Sequence, residues 1–374
     1  MSSQSSALGQ QPLRIVQVLG GGSAGSSAHV RSLAAGLTAR GVRVAVCAPP
    51  AVDRVQDFGG AGAQHLPVAR SSDPAALASL RGACADADLV HAHGLHAGMR
   101  AALALSGLRT PLVVTWHTRA YAEGARVPLL RLLEKRVARA AAVVLAPSSD
   151  LVRRARRRGA RDARYAPVAF PALRADPADA EARRHKTRAE LGAVGRPLLV
   201  AVGSLERHRG YGTLLDAARD WARVGTPPLL VIAGEGPERG ALQARIWDEE
   251  LPVRLLGRRR DAAELIAAAD LVVLPSRWEA RSVLAQQALT AGVPLVASRV
   301  GGIPELVGDG AALVPYGDPV ALAATALRLL ADGPERRALA RRGLRQAATW
   351  PTGDETVAQV LSVYDELTGP RVGP

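Results

Sequence analysis

A short apolar run followed by a loop and a helix constrains the fold of this chain more than any other feature. Residues 270–274 (DLVVL) are mostly apolar and β-branched without alternation, which is typical of a strand that is buried on both faces. Ser282 can cap a helix that runs to about residue 291, and residues 295–297 form the next strand. A strand, a helix and a second strand in this order predict a parallel sheet, which binds ligands at the loops after the carboxyl ends of its strands.

The same alternation recurs in both halves of the chain, so we predict an α/β protein. At 374 residues the chain is long enough for two domains, each with its own core. We expect an N-terminal domain over residues 1–180, a C-terminal domain over residues 181–349 and a last helix within residues 350–374. Residues 167–188, rich in Pro, Ala, Asp and Arg, are expected to connect the two domains. Further strands are predicted at residues 14–19, 42–46, 89–91, 112–116, 143–146 and 198–202.

The chain carries a formal net charge of +14, and two explanations of this charge stay open. Almost all the basic residues are Arg and Ala is abundant, as codon bias in a GC-rich genome would produce. The alternative is a surface that contacts an anionic membrane, where each Arg contributes roughly 1 kcal/mol. We expect no nucleic acid partner, because aromatic residues for base stacking make up only 3% of the chain. The basic residues crowd on two predicted helices, with Arg131, Lys135, Arg136 and Arg139 on one and Arg153, Arg154, Arg156, Arg157 and Arg158 on the next.

Localisation and metal binding can also be judged from the sequence. The N-terminal residues lack the features of a secretion signal, and no apolar run is long enough to span a bilayer. We therefore expect a cytoplasmic protein. If the basic surface binds lipid, we expect the protein to be peripheral at the inner face of the membrane. Cys47 and Cys84 are not in a ligand spacing, and we expect neither a metal nor a cofactor. His91, His93 and His117 follow predicted strands; a metal site is one interpretation, and hydrogen-bonded structural histidines are the interpretation we favour.

A glycine-rich turn follows the first predicted strand. Gly20, Gly22 and Gly25 satisfy G-x-G-x-x-G between a strand and a helix, a pattern that also occurs in dinucleotide-binding oxidoreductases. Such a site needs an acidic residue at the end of the second strand to bind the ribose. Residues 47–50 (CAPP) follow that strand here and contain no acid, which argues against the oxidoreductase.

An ordered set of Pro, Ser, Gly and Glu residues runs through the segment that begins at the loop after residues 270–274. Its members are Pro275, Ser276, Glu279, Gly292, Pro294, Gly301, Gly302, Pro304 and Glu305. This order resembles the C-terminal signature of GT-B glycosyltransferases of family 4, the group 1 retaining enzymes. The resemblance implies two Rossmann-like, doubly wound domains facing across a cleft, with the terminal helix crossing back to the N-terminal domain. It also implies metal-independent transfer of a sugar from a nucleotide-diphosphate sugar, with retention of configuration, to a lipid, cell-envelope or small-metabolite acceptor.

The resemblance assigns donor ligands to this segment. In the family the first Glu binds hydroxyls of the donor sugar, a role that falls on Glu279, and a second Glu binds the nucleotide ribose at the position of Gln287. Gln287 can bond a ribose through its amide, but without the strength of a charge-assisted bond. The family's Gly-Phe-Gly after the first Glu is replaced here, and we expect Arg281, Ser282 and Val283 to line the donor site.

Residues 202–210 (VGSLERHRG) resemble the family's pyrophosphate motif, V-G-R-L-x-x-x-K-G. The basic pair of that motif neutralises the pyrophosphate, which gains charge as the glycosidic bond breaks. Arg209 stands at the Lys position and keeps its charge, whereas Ser204 stands at the Arg position and loses one, for which Arg207, His208 or Arg281 could compensate. The resemblance further implies that His117 lies near the reacting centre. It also places four glycines beside the cleft or the nucleotide, namely Gly22, Gly203, Gly234 and Gly257.

Two functions of different classes stay open. The first is an active glycosyltransferase that binds a nucleotide-diphosphate sugar, with His117 and Glu279 as catalytic residues and an acceptor that the sequence does not identify. The second is a GT-B-shaped nucleotide-sugar-binding or regulatory protein that has lost turnover. The replacements at Ser204 and Gln287 keep this second function open.

Overall fold

The computed structural model describes residues 11–20, 24–69, 73–119, 126–169 and 179–369. Its contacts divide the chain into two compact units. The first unit comprises the chain up to Phe170 and again from Pro351 onward, and the second unit comprises Pro171–Trp350. Each unit contains a parallel sheet and helices, which confirms the predicted α/β class.

The first unit is built on a seven-stranded parallel sheet with the order β3-β2-β1-β4-β5-β6-β7. The strand order reverses between β1 and β4, and such a switch point opens a crevice at the carboxyl ends of the strands. The strands are β1 (Arg14–Leu19), β2 (Arg43–Ala48), β3 (Gln64–Pro67), β4 (Leu89–His93), β5 (Leu112–Thr115), β6 (Val143–Ala146) and β7 (Ala163–Tyr165). The helices are α1 (Ala24–Thr38), α2 (Pro50–Gln56), α3 (Pro74–Cys84), α4 (Leu95–Ala104), α5 (Arg126–Ala140), α6 (Ser149–Arg157) and, at the end of the chain, α15 (Gly353–Thr368).

The second unit is built on a six-stranded parallel sheet with the order β10-β9-β8-β11-β12-β13. Its switch point lies between β8 and β11. The strands are β8 (Leu198–Val202), β9 (Leu229–Ala233), β10 (Val253–Gly257), β11 (Leu271–Leu274), β12 (Leu295–Ser298) and β13 (Ala312–Val314). The helices are α7 (Ala180–Glu190), α8 (Tyr211–Trp221), α9 (Arg239–Asp248), α10 (Ala262–Ala268), α11 (Val283–Thr290), α12 (Ile303–Val307), α13 (Pro319–Ala331) and α14 (Gly333–Ala347).

Strand β8 shows why the strands are apolar without alternation. Leu198 and Val200 belong to the apolar cluster on one face of the sheet, whereas Leu199 and Ala201 belong to the cluster on the other face. Helices cover both faces, so successive positions are buried on opposite sides and all of them must be apolar. The loops at the strand ends are therefore left to carry the polar chemistry.

We predicted that residues 167–188 connect the two domains, but residues 180–188 form most of helix α7 in the second unit. Arg184 and Arg188 on this helix bind the two carboxylate oxygens of Asp270 at 2.9 and 3.0 Å. Asp270 also accepts the Leu198 N–H at 2.8 Å, so one carboxylate ties α7 to the first and fourth strands of this unit. Residues 180–188 are thus part of the second unit, while residues 170–178 lie outside the described residues.

Helix α15 packs into the first unit. A Cβ atom at Gly36 of α1 would lie only 2.4 Å from a methyl carbon of Val357, so the glycine permits close approach of the two helices. Arg164 in β7 binds both carboxylate oxygens of Glu366 at 2.6 and 2.8 Å. The last helix of the chain therefore belongs to the core of the first unit.

Candidate functional site

Glycines bring the loops of the second sheet into direct contact at its carboxyl edge. Gly210 has a φ of 74°, and a Cβ atom there would lie 2.0 Å from the carbonyl oxygen of Pro275, which follows β11. A Cβ atom at Gly234, which follows β9, would lie 1.8 Å from the carbonyl oxygen of Gly203, which follows β8. Only glycine fits at Gly210 and Gly234, and the backbones of three loops pack together as a result.

Backbone hydrogen bonds order the same edge. The Gly203 N–H donates to the Ala233 carbonyl at 3.0 Å, and the Gly234 N–H donates to the Gly257 carbonyl at 2.8 Å. The three glycines that the sequence assigns to the nucleotide therefore lie on neighbouring loops. Their contact with a nucleotide stays a prediction.

The loop after β11 holds Glu279 in a defined position. Its carboxylate forms an ion pair with Arg209 and accepts a hydrogen bond from the Ser276 hydroxyl at 2.9 Å. Its carbonyl oxygen accepts the Gly302 N–H at 2.9 Å. The side chains of Arg209 and Glu279 are 28% and 14% exposed, so the pair is reachable from solvent. The sequence assigned these two side chains to separate parts of a donor, whereas the structure joins them, and sequence reasoning missed Ser276 as a partner of the carboxylate.

Tyr211 is a further polar residue at this edge that sequence reasoning missed. It begins α8 and is buried. A Cβ atom at Gly203 would lie 2.9 Å from the Tyr211 hydroxyl oxygen and 3.8 Å from the Arg209 Nε atom, so these two groups lie beside the same glycine. Burial raises the pKa of Tyr211, which keeps the phenol neutral. In the sequence, Tyr211 is marked only by its position directly after Arg209 and Gly210, and a feature of two residues is too short to indicate a role.

Helix α11 begins at the same edge. The Ser282 hydroxyl accepts a hydrogen bond from the Ala285 N–H at 3.4 Å, which confirms the predicted cap. Val283 and Gln287 stand four residues apart and therefore on one face of the helix. The Gln287 side chain is half-buried and makes no hydrogen bond to any described residue, so its amide is available to a ligand.

Two further residues that we predicted to lie at the donor site are Arg281 and Gly22. The Arg281 guanidinium lies over the Trp350 ring at 5.4 Å from its centroid, a cation–π contact. The guanidinium keeps its positive charge in this contact, and its compensation for the charge lost at Ser204 stays a prediction. Gly22 lies outside the described residues.

A cluster of four histidines occupies the carboxyl edge of the first sheet. The His91 ring is bonded to the Tyr364 hydroxyl at 2.6 Å and to the Thr115 hydroxyl at 2.7 Å. His93 Nδ1 and His117 Nε2 lie 3.1 Å apart. The His29 ring meets the His93 and His117 rings edge to face, with centroids 5.9 and 5.4 Å away. These four residues, His29, His91, His93 and His117, are called the histidine cluster below.

The histidine cluster is uncharged at neutral pH. Burial lowers the pKa of His29 to about 4 and that of His91 to about 3. Desolvation also holds the pKa values of His93 and His117 well below the ordinary value, helped by the neighbouring rings. Among the described residues no group of three His, Cys, Asp or Glu side chains is arranged to hold a metal ion. The contacts of His91 and His93 fit hydrogen-bonded histidines.

A basic cleft lies between α5 and α6. It has a volume of about 450 Å³ and is lined by Arg131, Leu132, Lys135, Arg139, Arg156, Arg157, Arg158 and Gly159. Glu134 is buried below it and binds Arg154 and Arg158, at 2.7 Å in each case. The lining contains six basic side chains and no acidic one, and Glu134 pairs with only one of the six, Arg158, so the cleft has a net positive charge. In the part of the chain that the structure describes, no helix combines the length and the apolar composition that crossing a membrane requires.

Two family models match the chain, one in each unit. The model described as "Glycosyl transferases group 1" matches residues 196–332. The model described as "Glycosyl transferase 4-like domain" matches residues 24–171.

Curated relatives agree with these matches. The D-inositol 3-phosphate glycosyltransferase of Xylanimonas cellulosilytica is 31% identical over 310 residues, which cover 76% of this chain and 73% of that protein. The alpha-D-kanosaminyltransferase of Streptomyces kanamyceticus is 29% identical over 283 residues, which cover 70% of this chain and 72% of that protein.

Solved structures show the same fold. Anabaena Alr3699/HepE in complex with UDP-glucose has a TM-score of 0.81 at 22% identity and covers 94% of this chain and 100% of its own. The sucrose-phosphate synthase of Thermosynechococcus elongatus has a TM-score of 0.76 at 21% identity and covers 95% of this chain and 99% of its own. Likeness at this level of identity shows the fold, and the family models and the Xylanimonas relative show the family. The chain therefore belongs to the group 1 glycosyltransferases of family 4 and has the GT-B fold.

Proposed function

We propose that this glycosyltransferase moves a sugar from a nucleoside-diphosphate sugar to a hydroxylated acceptor, with retention of configuration and without a metal ion. The observation that carries the proposal is the group formed by Arg209, Glu279 and Ser276 at the carboxyl edge of the second sheet. A cation beside a carboxylate suits a diphosphate and the sugar hydroxyls next to it. The structures of Anabaena Alr3699/HepE contain UDP or UDP-glucose, which supports a nucleotide sugar as the donor.

Arg209 has the properties that a leaving diphosphate needs. Negative charge builds on the diphosphate as the glycosidic bond breaks, and a fixed cation in a partly buried site stabilises it. The Arg209 side chain is 28% exposed and uses one terminal nitrogen for Glu279, so its guanidinium has further N–H groups to donate to a phosphate oxygen. The N-terminus of α11 adds its dipole at the same edge. Together these groups supply the positive potential that supports a metal-independent reaction.

The remaining site residues follow from the family resemblance and the placement of the loops. We propose Glu279 as the ligand of the donor-sugar hydroxyls and Gln287 as the ligand of the ribose. His117 is proposed to lie near the reacting centre, where a neutral imidazole can donate or accept one hydrogen bond. The glycine loops beside β8, β9 and β10 are proposed to border the nucleotide.

The acceptor that we propose is a small hydroxylated metabolite, in preference to a lipid or cell-envelope component. The Xylanimonas relative is named for D-inositol 3-phosphate, a small phosphorylated polyol, and it matches 76% of this chain. We propose that the reaction takes place in the cytoplasm.

Binding of nucleoside diphosphates tests the donor proposal, and Gln287→Glu tests the ribose ligand. We expect UDP, GDP, ADP or TDP to raise the melting temperature of the full chain, because a ligand that binds only the native state stabilises it. Gln287→Glu should tighten the binding of the same diphosphate about two- to thirtyfold, since a charge-assisted bond is worth about 1.5–3 kcal/mol against about 1 for a neutral bond. Isothermal titration measures both affinities.

Gln243→Glu on α9 is the matched control, because it adds the same charge to a partly exposed helix position away from the loops. Weaker binding by Gln287→Glu would show that Gln287 does not bind the ribose. A chain whose melting temperature no nucleoside diphosphate raises would contradict the donor proposal itself.

We also infer that the basic cleft contacts anionic lipid. Six basic side chains line it without an acidic one, and two leucines of α5, Leu129 and Leu132, are 57% and 52% exposed beside it. Exposed leucines next to cations are typical of helices that lie in a membrane interface. The chain should therefore sediment with vesicles of phosphatidylglycerol and phosphatidylcholine at low salt and be released at high salt, because screening shortens the reach of charges to about 8 Å already at physiological ionic strength.

Neutralising three basic residues of α5, Arg131, Lys135 and Arg139, to Gln should abolish the sedimentation. The matched control changes Arg337, Arg341 and Arg345 to Gln, because these residues have the same spacing on the exposed face of α14. Equal losses in both variants would leave only the overall charge of the chain as the cause. No sedimentation of the wild type at low salt would favour codon bias as the origin of the charge.

A further inference from the structure

The His91 ring is fixed at both of its nitrogens. Nδ1 bonds the Tyr364 hydroxyl at 2.6 Å and Nε2 bonds the Thr115 hydroxyl at 2.7 Å. A neutral imidazole has one donor and one acceptor nitrogen, and each hydroxyl can serve either. Because His91 is fully buried, no water competes for these bonds. The two hydroxyls therefore determine the orientation of the ring, whichever of its nitrogens carries the proton.

A contact path leads from His91 to His117. The His91 and His93 rings are 4.2 Å apart between centroids with an interplanar angle of 33°. His93 Nδ1 lies 3.1 Å from His117 Nε2, and the two rings stack at 5.3 Å. His93 Nε2 is buried and has no partner among the described residues, so the His93 ring is oriented by its contacts with the rings of His91, His117 and His29. His93 therefore connects His91 to His117 through direct contacts.

Tyr364 reaches this path from the far end of the chain. It lies on α15, 273 residues away from His91 in sequence, and its side chain is fully buried. Packing against the apolar cluster of the first unit would be equally served by phenylalanine. A buried hydroxyl costs free energy unless it is hydrogen-bonded, and the bond to His91 satisfies it.

We propose that Tyr364 is a positioning residue for His117, which it orients through His91 and His93. The C-terminal helix then does more than complete the core of the first unit, because it supplies the hydroxyl that sets the geometry of the histidine cluster. The catalytic consequence rests on the proposed role of His117 near the reacting centre. The coupling between Tyr364 and the ring of His117 does not depend on that role.

Tyr364→Phe tests the proposal with two measurements. In protein labelled with ¹⁵N at the histidine rings, we expect the ring-nitrogen shifts of His91 and His117 to change, with His117 identified by its loss in His117→Asn. With a donor in hand, we expect kcat to fall about tenfold and KM for the donor to change less than about twofold, because a misoriented group impairs the reacting geometry more than nucleotide binding. Thr115→Val removes the other bond of His91 and should move the same resonances.

Thr356→Val is the matched control. It removes another buried hydroxyl of α15, one that bonds only the carbonyl oxygens of Thr352 and Pro167, and it should leave the histidine shifts unchanged. Unchanged His117 shifts in folded Tyr364→Phe would overturn the proposal, as would a raised KM with unchanged kcat. A wild type without turnover would overturn the proposed function, while the ring shifts would still decide the coupling.

Discussion

Glu279→Ala is expected to lower the turnover of the donor about 100-fold or more, and to tighten the binding of the free nucleoside diphosphate. Turnover falls because the carboxylate that orients the sugar is lost. Affinity rises because Arg209, which pairs with Glu279, becomes available to the diphosphate alone. A partly exposed ion pair contributes about 0.5–1 kcal/mol, so the gain in affinity is about two- to fivefold.

Steady-state kinetics and titration with UDP or the preferred diphosphate measure the two effects. Asp220→Ala is the control, because it removes an exposed carboxylate from the end of α8 that lies away from the loops. Opposite signs for turnover and product affinity are the specific result, since general damage to the site would lower both. Unchanged turnover in folded Glu279→Ala would show that this loop does not bind the donor sugar.

Arg209→Ala is expected to weaken the binding of the nucleoside diphosphate about 10- to 150-fold, because a hydrogen bond to a charged group is worth about 1.5–3 kcal/mol. The affinity for the nucleoside alone should change less than about twofold, since it lacks the phosphates that Arg209 contacts. Titration with UDP and with uridine separates the two ligands. Arg209→Lys should fall between the wild type and Ala, because it keeps the charge and loses the planar fork.

Arg223→Ala is the matched control for the loss of one positive charge. Its side chain is 77% exposed just after α8, at the end that lies away from the loops of the carboxyl edge. Circular dichroism must show that Arg209→Ala is folded, because it leaves Glu279 with the Ser276 hydroxyl as its remaining side-chain partner. Equal losses for UDP and uridine would show that Arg209 does not bind the diphosphate.

The strands that sequence reasoning predicted best are those buried on both faces. The predicted ranges 14–19, 143–146 and 198–202 coincide with β1, β6 and β8. Strands β3, β7, β9, β10 and β13 were not predicted. The runs that form β3 and β7, Gln64–Pro67 and Ala163–Tyr165, are short, partly exposed and poor in β-branched apolar residues. Their strand conformation depends on pairing with β2 and β6, which a local pattern does not contain.

Helix α7 was missed for a related reason. Eight of its eleven residues are polar or charged and the other three are alanine, and only Thr187 is buried. Its place in the second unit depends on Arg184 and Arg188, which bind Asp270 more than eighty residues further along the chain. The composition of residues 167–188 therefore suggested a connection, while a distant carboxylate determines the structure.

For the candidate site, the chemical types could be predicted and the partners could not. Arg209 and Glu279 stand seventy residues apart in sequence, so their ion pair follows from the meeting of two strand ends. The contact of Arg281 with Trp350 likewise depends on packing after α14. Motif spacing predicts which side chains lie at the carboxyl edge of the sheet, but it does not specify which of them bind each other.

An active glycosyltransferase and a nucleotide-sugar-binding relative without turnover are expected to behave differently in an assay. Ser204 lacks the charge of the family's Arg, and its side chain makes no hydrogen bond to any described residue. In an active enzyme, the charge of Arg209 and the dipole of α11 stabilise the leaving diphosphate while the sugar is transferred. A regulatory relative that has lost turnover binds the same nucleotide and releases no sugar.

The most direct measurement is sugar transfer by the wild type. The chain is incubated with each nucleotide sugar whose diphosphate stabilises it, together with small polyol acceptors that include D-inositol 3-phosphate. NMR follows the release of the diphosphate and the anomeric configuration of the product. We predict release of the diphosphate together with a product that keeps the anomeric configuration of the donor. A chain that binds nucleotide sugars and transfers none of them, or a product of inverted configuration, would contradict this account.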